Sequence, residues 1–215
     1  MLELDRVYTG DCLKLMKELP DNSVDLVLTD PPYGINYGKY ISHDDDSKEY
    51  SQFMKSIIDE SVRVSKGWCA FYQTEKRWML WHEIIPFNAK LVFLMKTFAP
   101  YRGNEMVPST DIVFVWKVND KAKYLDVGQI RRNWFICPDS SITNNKINHP
   151  CPRPMSGVKY LLGMLDGDIV LDPFAGSGTT LVAAKELGRK FIGMEISQKY
   201  VDICNERLKQ EVLRL

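Results

Sequence analysis

The chain has no run of about 18 apolar residues, the length a membrane-spanning helix requires, and no charged-then-apolar leader after Met1. No membrane partner or secretory signal is therefore expected, and a soluble, cytoplasmic protein is. Its five cysteines, Cys12, Cys69, Cys137, Cys151 and Cys204, are odd in number and nowhere spaced Cys-x-x-Cys, which argues against both a disulfide framework and a zinc site. They read as free thiols, and no metal is expected. Net charge is missing too: 28 acidic and 28 basic residues cancel, so any contact with nucleic acid must come from a local patch. Neither an internal repeat nor a low-complexity tract breaks the 215 residues, which at 45% hydrophobic and 26% charged suffice for one domain with a full core.

What is present centres on Leu171 to Thr180, Leu-Asp-Pro-Phe-Ala-Gly-Ser-Gly-Thr-Thr. The apolar run from Ile169 ends at Asp172, and helical spacing (Leu181, Val182, Ala184, Leu187) opens at Thr179, so Gly176 and Gly178 occupy a strand-to-helix turn. In a doubly wound α/β sheet this turn lets a ligand approach the backbone and the unpaired N–H groups of the next helix. Phosphate is one candidate ligand, but Thr179 and Thr180 follow Gly178 directly, without the Lys of a P-loop. Asp172 would repel an anion and suit a cationic group. Glu195 closes the next apolar strand, Phe191 to Met194, where an acid is the usual acceptor for two ribose hydroxyls. An adenosine carrying an amino-acid tail would satisfy both acids.

Earlier in the chain, Leu2 to Tyr8 reads as a short strand, and Cys12, Leu13, Leu15, Met16 and Leu19 as a helix stopped by Pro20. Asp11 is placed to cap that helix or to touch a ligand. Val24 to Thr29 is a buried-type strand that delivers Asp30-Pro31-Pro32-Tyr33-Gly34. Two prolines cannot continue a ladder, so Asp30 is held at the strand tip with an aromatic ring beside it. A fixed carboxylate, a fixed carbonyl and an aromatic face suit a planar amine, although an ordinary strand exit would also use Asp-Pro. Ile35 to Tyr50 shows no period and reads as a mobile loop over the site, with Asp44, Asp45 and Asp46 as a solvated turn. Phe53 to Val64 reads as a helix ending at Gly67, Trp68 to Tyr72 as a strand, and Trp81, Ile84 and Ile85 as the core side of a helix ended by Pro86. Met155 to Leu165 and Lys199 to Leu213 read as further helices.

The pair Asp30-Pro31-Pro32-Tyr33 and Asp172-Pro173-Phe174-Ala175-Gly176-Ser177-Gly178 resembles the signature motifs of S-adenosylmethionine-dependent amino-methyltransferases that modify adenine in DNA. The motif order resembles the circularly permuted β class, and His149-Pro150-Cys151-Pro152-Arg153-Pro154 falls where that class carries His-Pro-x-x-Lys-Pro. Arg153 departs from the pattern: it keeps the charge but offers a planar fork. The resemblance covers roughly residues 4–37 and 148–208 well and the middle in outline. It implies a Rossmann-like methyltransferase fold, α/β and doubly wound, mostly parallel, with Lys90 to Phe98 and Asp111 to Val118 as an antiparallel edge hairpin. Residues 1–116 would then be the catalytic half, 117–146 a target-recognition insertion and 147–215 the cofactor half.

By the same resemblance, Asp30, Pro31, Pro32 and Tyr33 are catalytic. S-adenosyl-L-methionine would be held by Asp11, Cys12, Asp30, His149, Pro150, Arg153, Asp172, Phe174, Ala175, Gly176, Ser177, Gly178, Thr179, Glu195 and Ile196. Residues 117–146 carry six bases against three acids, a local charge of +3, which leaves −3 for the rest. Within them, Lys121, Lys123, Arg131, Arg132, Asn133 and Trp134 are the candidate DNA contacts, set against an ordinary surface insertion. DNA is the implied partner; a homodimer and a cognate restriction endonuclease go with the resemblance. The implied reaction moves a methyl group to the N6 amine of a flipped-out adenine. Its rivals are an N4-cytosine enzyme, an adenine RNA enzyme and a methyltransferase-fold module that binds DNA without turnover. Cys151 could suggest a cytosine-carbon nucleophile, but that route needs the thiol beside the base, where Asp30 stands.

Overall fold

The apolar runs Val24–Thr29 and Ile169–Asp172 pair in parallel near the middle of one eight-stranded sheet, Leu26 opposite Val170 and Val27 opposite Leu171. The computed structural model describes residues 2–33, 47–73, 78–97, 110–125, 132–141 and 153–210. In chain order the strands are β1 Arg6–Thr9, β2 Val24–Thr29, β3 Ser65–Gln73, β4 Lys90–Lys96, β5 Thr110–Lys117, β6 Trp134–Cys137, β7 Ile169–Asp172 and β8 Lys190–Glu195. The helices are α1 Cys12–Met16, α2 Ser47–Val64, α3 Trp78–Ile84, α4 Met155–Met164, α5 Thr179–Glu186 and α6 Gln198–Lys209. Spatial order across the sheet is β1-β8-β7-β2-β3-β5-β4-β6. Only β5 pairs antiparallel, with β3 and with β4; the other described pairings are parallel.

Successive residues of a strand point to opposite faces, and the central strands bury both. Leu26, Leu28, Ala70 and Tyr72 pack with Val158 and Leu161 of α4 and Leu181 and Ala184 of α5. Val27, Cys69 and Phe71 pack on the other face with Met16, Met54, Ile57 and Trp81 from α1, α2 and α3. This is the doubly wound arrangement, with helices on both sides of the sheet. Among the described residues no helix is long and apolar enough to cross a membrane.

Three local expectations need correction. Gly67 does not stop α2: the helix ends at Val64, β3 begins at Ser65, and Gly67 lies inside the strand. There an added Cβ would sit 2.4 Å from the Asp25 carbonyl oxygen, so glycine is needed for close approach to β2, not for a cap. The β4–β5 hairpin is not the sheet edge, because β6 pairs in parallel outside β4, from Phe93 opposite Trp134 to Lys96 opposite Cys137. β6 itself has no period in the sequence, since only Cys137 of its four residues is fully buried. The loop expected from Ile35 to Tyr50 ends too late: residues 35–46 lie outside the described residues, as do 211–215, but Ser47 to Tyr50 already belong to α2, and Tyr50 is buried against the core.

Candidate active site

β2 and β7 are parallel neighbours, so their C-terminal tips emerge side by side. The Thr29 hydroxyl donates to Asp172 Oδ1 at 2.7 Å and ties the two tips together. Asp172 is 2% exposed, and the same oxygen accepts the Phe174 N–H at 3.1 Å. Burial pushes its carboxyl up to about 6, against the lowering effect of its hydrogen bonds from Thr29, Thr180 and Phe174. In this structure the Asp172 side chain organises the two tips.

The turn that follows has Gly176 at φ 51° and Gly178 at φ 84°. A Cβ on Gly178 would lie 2.2 Å from Cys204 Sγ, so both its conformation and its packing demand glycine. α5 starts at Thr179 with no side-chain cap, leaving first-turn N–H groups directed out of the turn. Glu195, at the tip of β8, accepts the Gly176 N–H on Oε2 (3.0 Å) and the Ser197 N–H on Oε1 (2.9 Å). A carboxylate has about four lone-pair sites, so two donors fix its position and leave capacity for two hydroxyls. Beside it Ile196 is 74% exposed, an apolar surface at the mouth of the turn. The Gly10 N–H donates to the Glu195 carbonyl at 3.0 Å, which brings Asp11 and Cys12 to this end. Asp11 Oδ1 caps α1 through the Leu13 and Lys14 N–H groups at 2.9 and 3.3 Å, and Cys12 is buried, its thiol pushed up to about 12 by burial and Asp11.

At the neighbouring tip of β2 lies Asp30. Its Oδ1 accepts the Tyr33 hydroxyl at 2.6 Å. Arg153 grips both of its oxygens, Nε on Oδ2 at 2.6 Å and Nη2 on Oδ1 at 2.8 Å. The guanidinium also donates to the Tyr33 hydroxyl, and through Nη1 to Asp111 Oδ1 on β5 at 2.7 Å. It lies over the rings of Tyr33 and Tyr72, 5.6 and 5.0 Å from their centroids. Burial alone would lower the Arg153 pKa, but Asp30, Tyr33 and Asp111 together hold it well above the usual value. Burial and Asp30 push Tyr33 well up, against Arg153. The fork that distinguishes Arg from Lys is therefore used here, on a neighbouring acid.

The motif residues fall together, at one end of the sheet, with supports that no short pattern announces. Tyr50 of α2 donates to the Pro32 carbonyl at 2.8 Å and fixes the proline turn. Arg207 of α6 donates to the Ser177 carbonyl at 2.6 Å and to the Ser177 and Thr179 hydroxyls at 3.2 Å each. Asp111 is the third such residue. Helical spacing could have flagged Tyr50 and Arg207 as inward-facing, but their targets are distant in the chain.

The candidate DNA contacts are divided. Lys117 is opposite Trp68, near the start of β3, and the Lys123 N–H donates to Asp166, just before β7, at 2.9 Å. Lys121 and Lys123 thus sit at the N-terminal ends of the parallel strands, opposite Asp30, and the structure does not bring them to the site. Arg132, Asn133 and Trp134 lie toward the site end: Trp134 is level with Phe93, Phe93 with Ile112, and Ile112 with Gln73 at the end of β3. Arg132 lies over the Trp134 ring at 4.9 Å. Arg131, His149, Pro150 and Cys151 lie outside the described residues. Among the described residues no group of three or more His, Cys, Asp or Glu is placed to hold a metal.

Comparison with known proteins agrees with this geometry. A family model described as DNA methylase matches residues 24–206. Type II methyltransferase M.BamHI of Bacillus amyloliquefaciens is 29% identical over 97% of this chain, which spans 58% of that protein's length. Type II methyltransferase M.HpaI of Haemophilus parainfluenzae is 27% identical, with 96% of this chain and 74% of the relative covered. In fold, the chain is similar to an M1.HpyAVI–SAM complex (TM-score 0.74, 21% identity, covering 95% of this chain and 99% of that one). It is also similar to the cytosine-N4-specific PvuII DNA methyltransferase (TM-score 0.78, 19% identity, 96% and 87% covered).

Proposed function

The chain belongs to the N6/N4 DNA methylase family, and from that premise we propose that it transfers a methyl group from S-adenosylmethionine to the exocyclic N6 amine of adenine in DNA. The observation that carries this reading is the juxtaposition of two tips on adjacent parallel strands. One bears Asp30, the proline turn and Tyr33; the other opens into the glycine turn beside Glu195. The residues present suit the cofactor: Glu195 keeps acceptor capacity for ribose hydroxyls, Ile196 offers an apolar surface for the adenine ring, and Gly176 and Gly178, both at positive φ, let an amino-acid tail approach the backbone of the turn. When bound, S-adenosylmethionine supplies an activated methyl on a sulfonium whose leaving group is a neutral thioether.

The chain's own task is the amine. Its lone pair is delocalised into the base and is a weak nucleophile, so catalysis requires stabilising the geometry in which that pair points at the methyl. Asp30 accepts one amine hydrogen and the Pro31 carbonyl the other, while Tyr33 stacks on the base. Flipping the nucleotide out of the duplex costs a few kcal/mol, offset by those contacts. The proline turn, pinned by Tyr50, holds acid and carbonyl in place before the base arrives. On this reading residues 1–116 supply the catalytic half, 147–215 the cofactor half, and within 117–146 the stretch Arg132 to Trp134 is the part that meets DNA. A second copy of the chain and a cognate restriction endonuclease are implied by the resemblance alone.

N4-cytosine transfer is the second reading, favoured by the likeness in fold to the cytosine-N4-specific PvuII enzyme. Asp at the first motif position supports adenine, because family members acting on cytosine amines more often carry Ser there. The test is incubation with methyl-labelled cofactor, unmethylated mixed DNA and, separately, RNA, followed by nucleoside mass analysis. Label in N6-methyldeoxyadenosine is expected. Label in N4-methyldeoxycytidine moves the assignment to the second reading; label in RNA alone, or in neither polymer, overturns both.

A further inference from the structure

Arg153 is shared between two acids of different exposure. Asp30 has 31% of its side chain exposed and is the one a substrate can reach; Asp111, at 7%, is not. Asp111 sits on the central strand β5, with Lys96 of β4 at 2.7 Å from Oδ1, the same oxygen that accepts Arg153 Nη1. Its other oxygen, Oδ2, is buried and has no hydrogen-bond partner among the described residues. A buried carboxylate oxygen left unpaired is costly, so its retention in a cluster where two cations balance two acids calls for a use.

We propose that Asp111 is a positioning residue that receives Arg153 from Asp30 when the target amine enters. The inference rests on the amine-methyltransferase reading above. In this structure both Asp30 oxygens are engaged by Arg153, and Oδ1 by Tyr33 as well. An incoming amine hydrogen needs one of them, and the displaced guanidinium N–H would be stranded in a desolvated site. Asp111 Oδ2 lies beside the bond that Nη1 already makes and completes a two-pronged grip on the guanidinium. The exchange keeps the number of hydrogen bonds made by Arg153 and the net charge constant: the amine takes one place on Asp30, and Arg153 takes one on Asp111. Tyr33 and Tyr72, over whose rings the guanidinium lies, give it a flat surface to slide along. Lys would fill only one place at a time, which accounts for the departure from the family's Lys at position 153.

The test is single-turnover methyl transfer at saturating cofactor, with labelled S-adenosylmethionine and unmethylated mixed DNA. Asp111→Asn should slow transfer about tenfold, the size of one hydrogen bond left unmade in a buried site, with cofactor Kd within about twofold. Asp111→Glu should retain more activity than Asp111→Asn. Adding Arg153→Met to Asp111→Asn should raise the rate above that of Asp111→Asn, because the clamp on Asp30 is gone. A double variant no faster than Asp111→Asn, or Asp111→Asn at the wild-type rate, overturns the proposal. Should Asp111→Asn fail to fold, arginine Nε NMR on the wild-type chain reads the same event. The Arg153 signal, assigned by its loss in Arg153→Met, should shift on adding S-adenosylhomocysteine with DNA that the chain methylates; a signal that stays put overturns the hand-over. A wild-type chain that methylates no DNA is distinguishable from these results: it sinks the parent function, and this inference with it.

Discussion

Asp172 and Glu195 stand at neighbouring strand tips with opposite surroundings. Both were legible as acids next to the glycine turn; which one faces inward was not, because the Thr29 hydroxyl that claims Asp172 comes from another strand. Burial raises the Asp172 carboxyl from 3.8 to about 6, so the folded chain holds this proton more tightly than the unfolded one. The contribution to stability is full below about pH 4 and is lost as pH rises through about 6, by up to roughly 3 kcal/mol for a shift of about two units. In urea titrations at about pH 4 and about pH 7, Asp172→Asn should gain on the wild type at the higher pH, by up to that amount. A stability difference that does not change with pH would mean Asp172 is ionised throughout.

α6 shows how an element far from the motifs can decide their shape. Arg207 reaches back to the Ser177 carbonyl and the Ser177 and Thr179 hydroxyls, and Cys204 fills the space where Gly178 would carry a Cβ. Replacing Arg207 by Met should weaken S-adenosylmethionine binding about tenfold in calorimetry, the loss of one to two hydrogen bonds to a buried turn. The circular dichroism spectrum should be unchanged. Unaltered affinity would show that the turn holds its shape unaided. Elements with strong periodicity were readable from the sequence, among them β2, β7, β8, α4 and the body of α2. β6 was not, because four residues on a half-exposed edge carry no period, and Gly67 was misread because a glycine needed for close strand approach looks the same as one that ends a helix.

Charge gave the least reliable guide across the fold. Residues 117–146 form one basic stretch in the sequence, yet folding sends Lys121 and Lys123 to one end of the sheet and Arg132 to Trp134 toward the other. Net sequence charge cannot reveal this, since β5 and β6 enter the sheet in opposite directions. The double variant Lys121→Glu/Lys123→Glu should therefore bind DNA within about twofold of wild type, whereas Arg132→Ala should weaken binding and lower the salt dependence by about one counterion. Fluorescence anisotropy at several salt concentrations checks both. Strong loss in the lysine variant would place DNA on the far end.

The account stands on one division of labour: the β2 tip handles the amine, and the glycine turn with Glu195 holds the methyl donor. The direct measurement is methyl transfer and S-adenosylmethionine affinity of Asp30→Ala beside the wild type. Transfer to DNA should fall at least about a hundredfold, with cofactor Kd within about threefold. Retained transfer, or cofactor affinity lost along with it, would contradict the account.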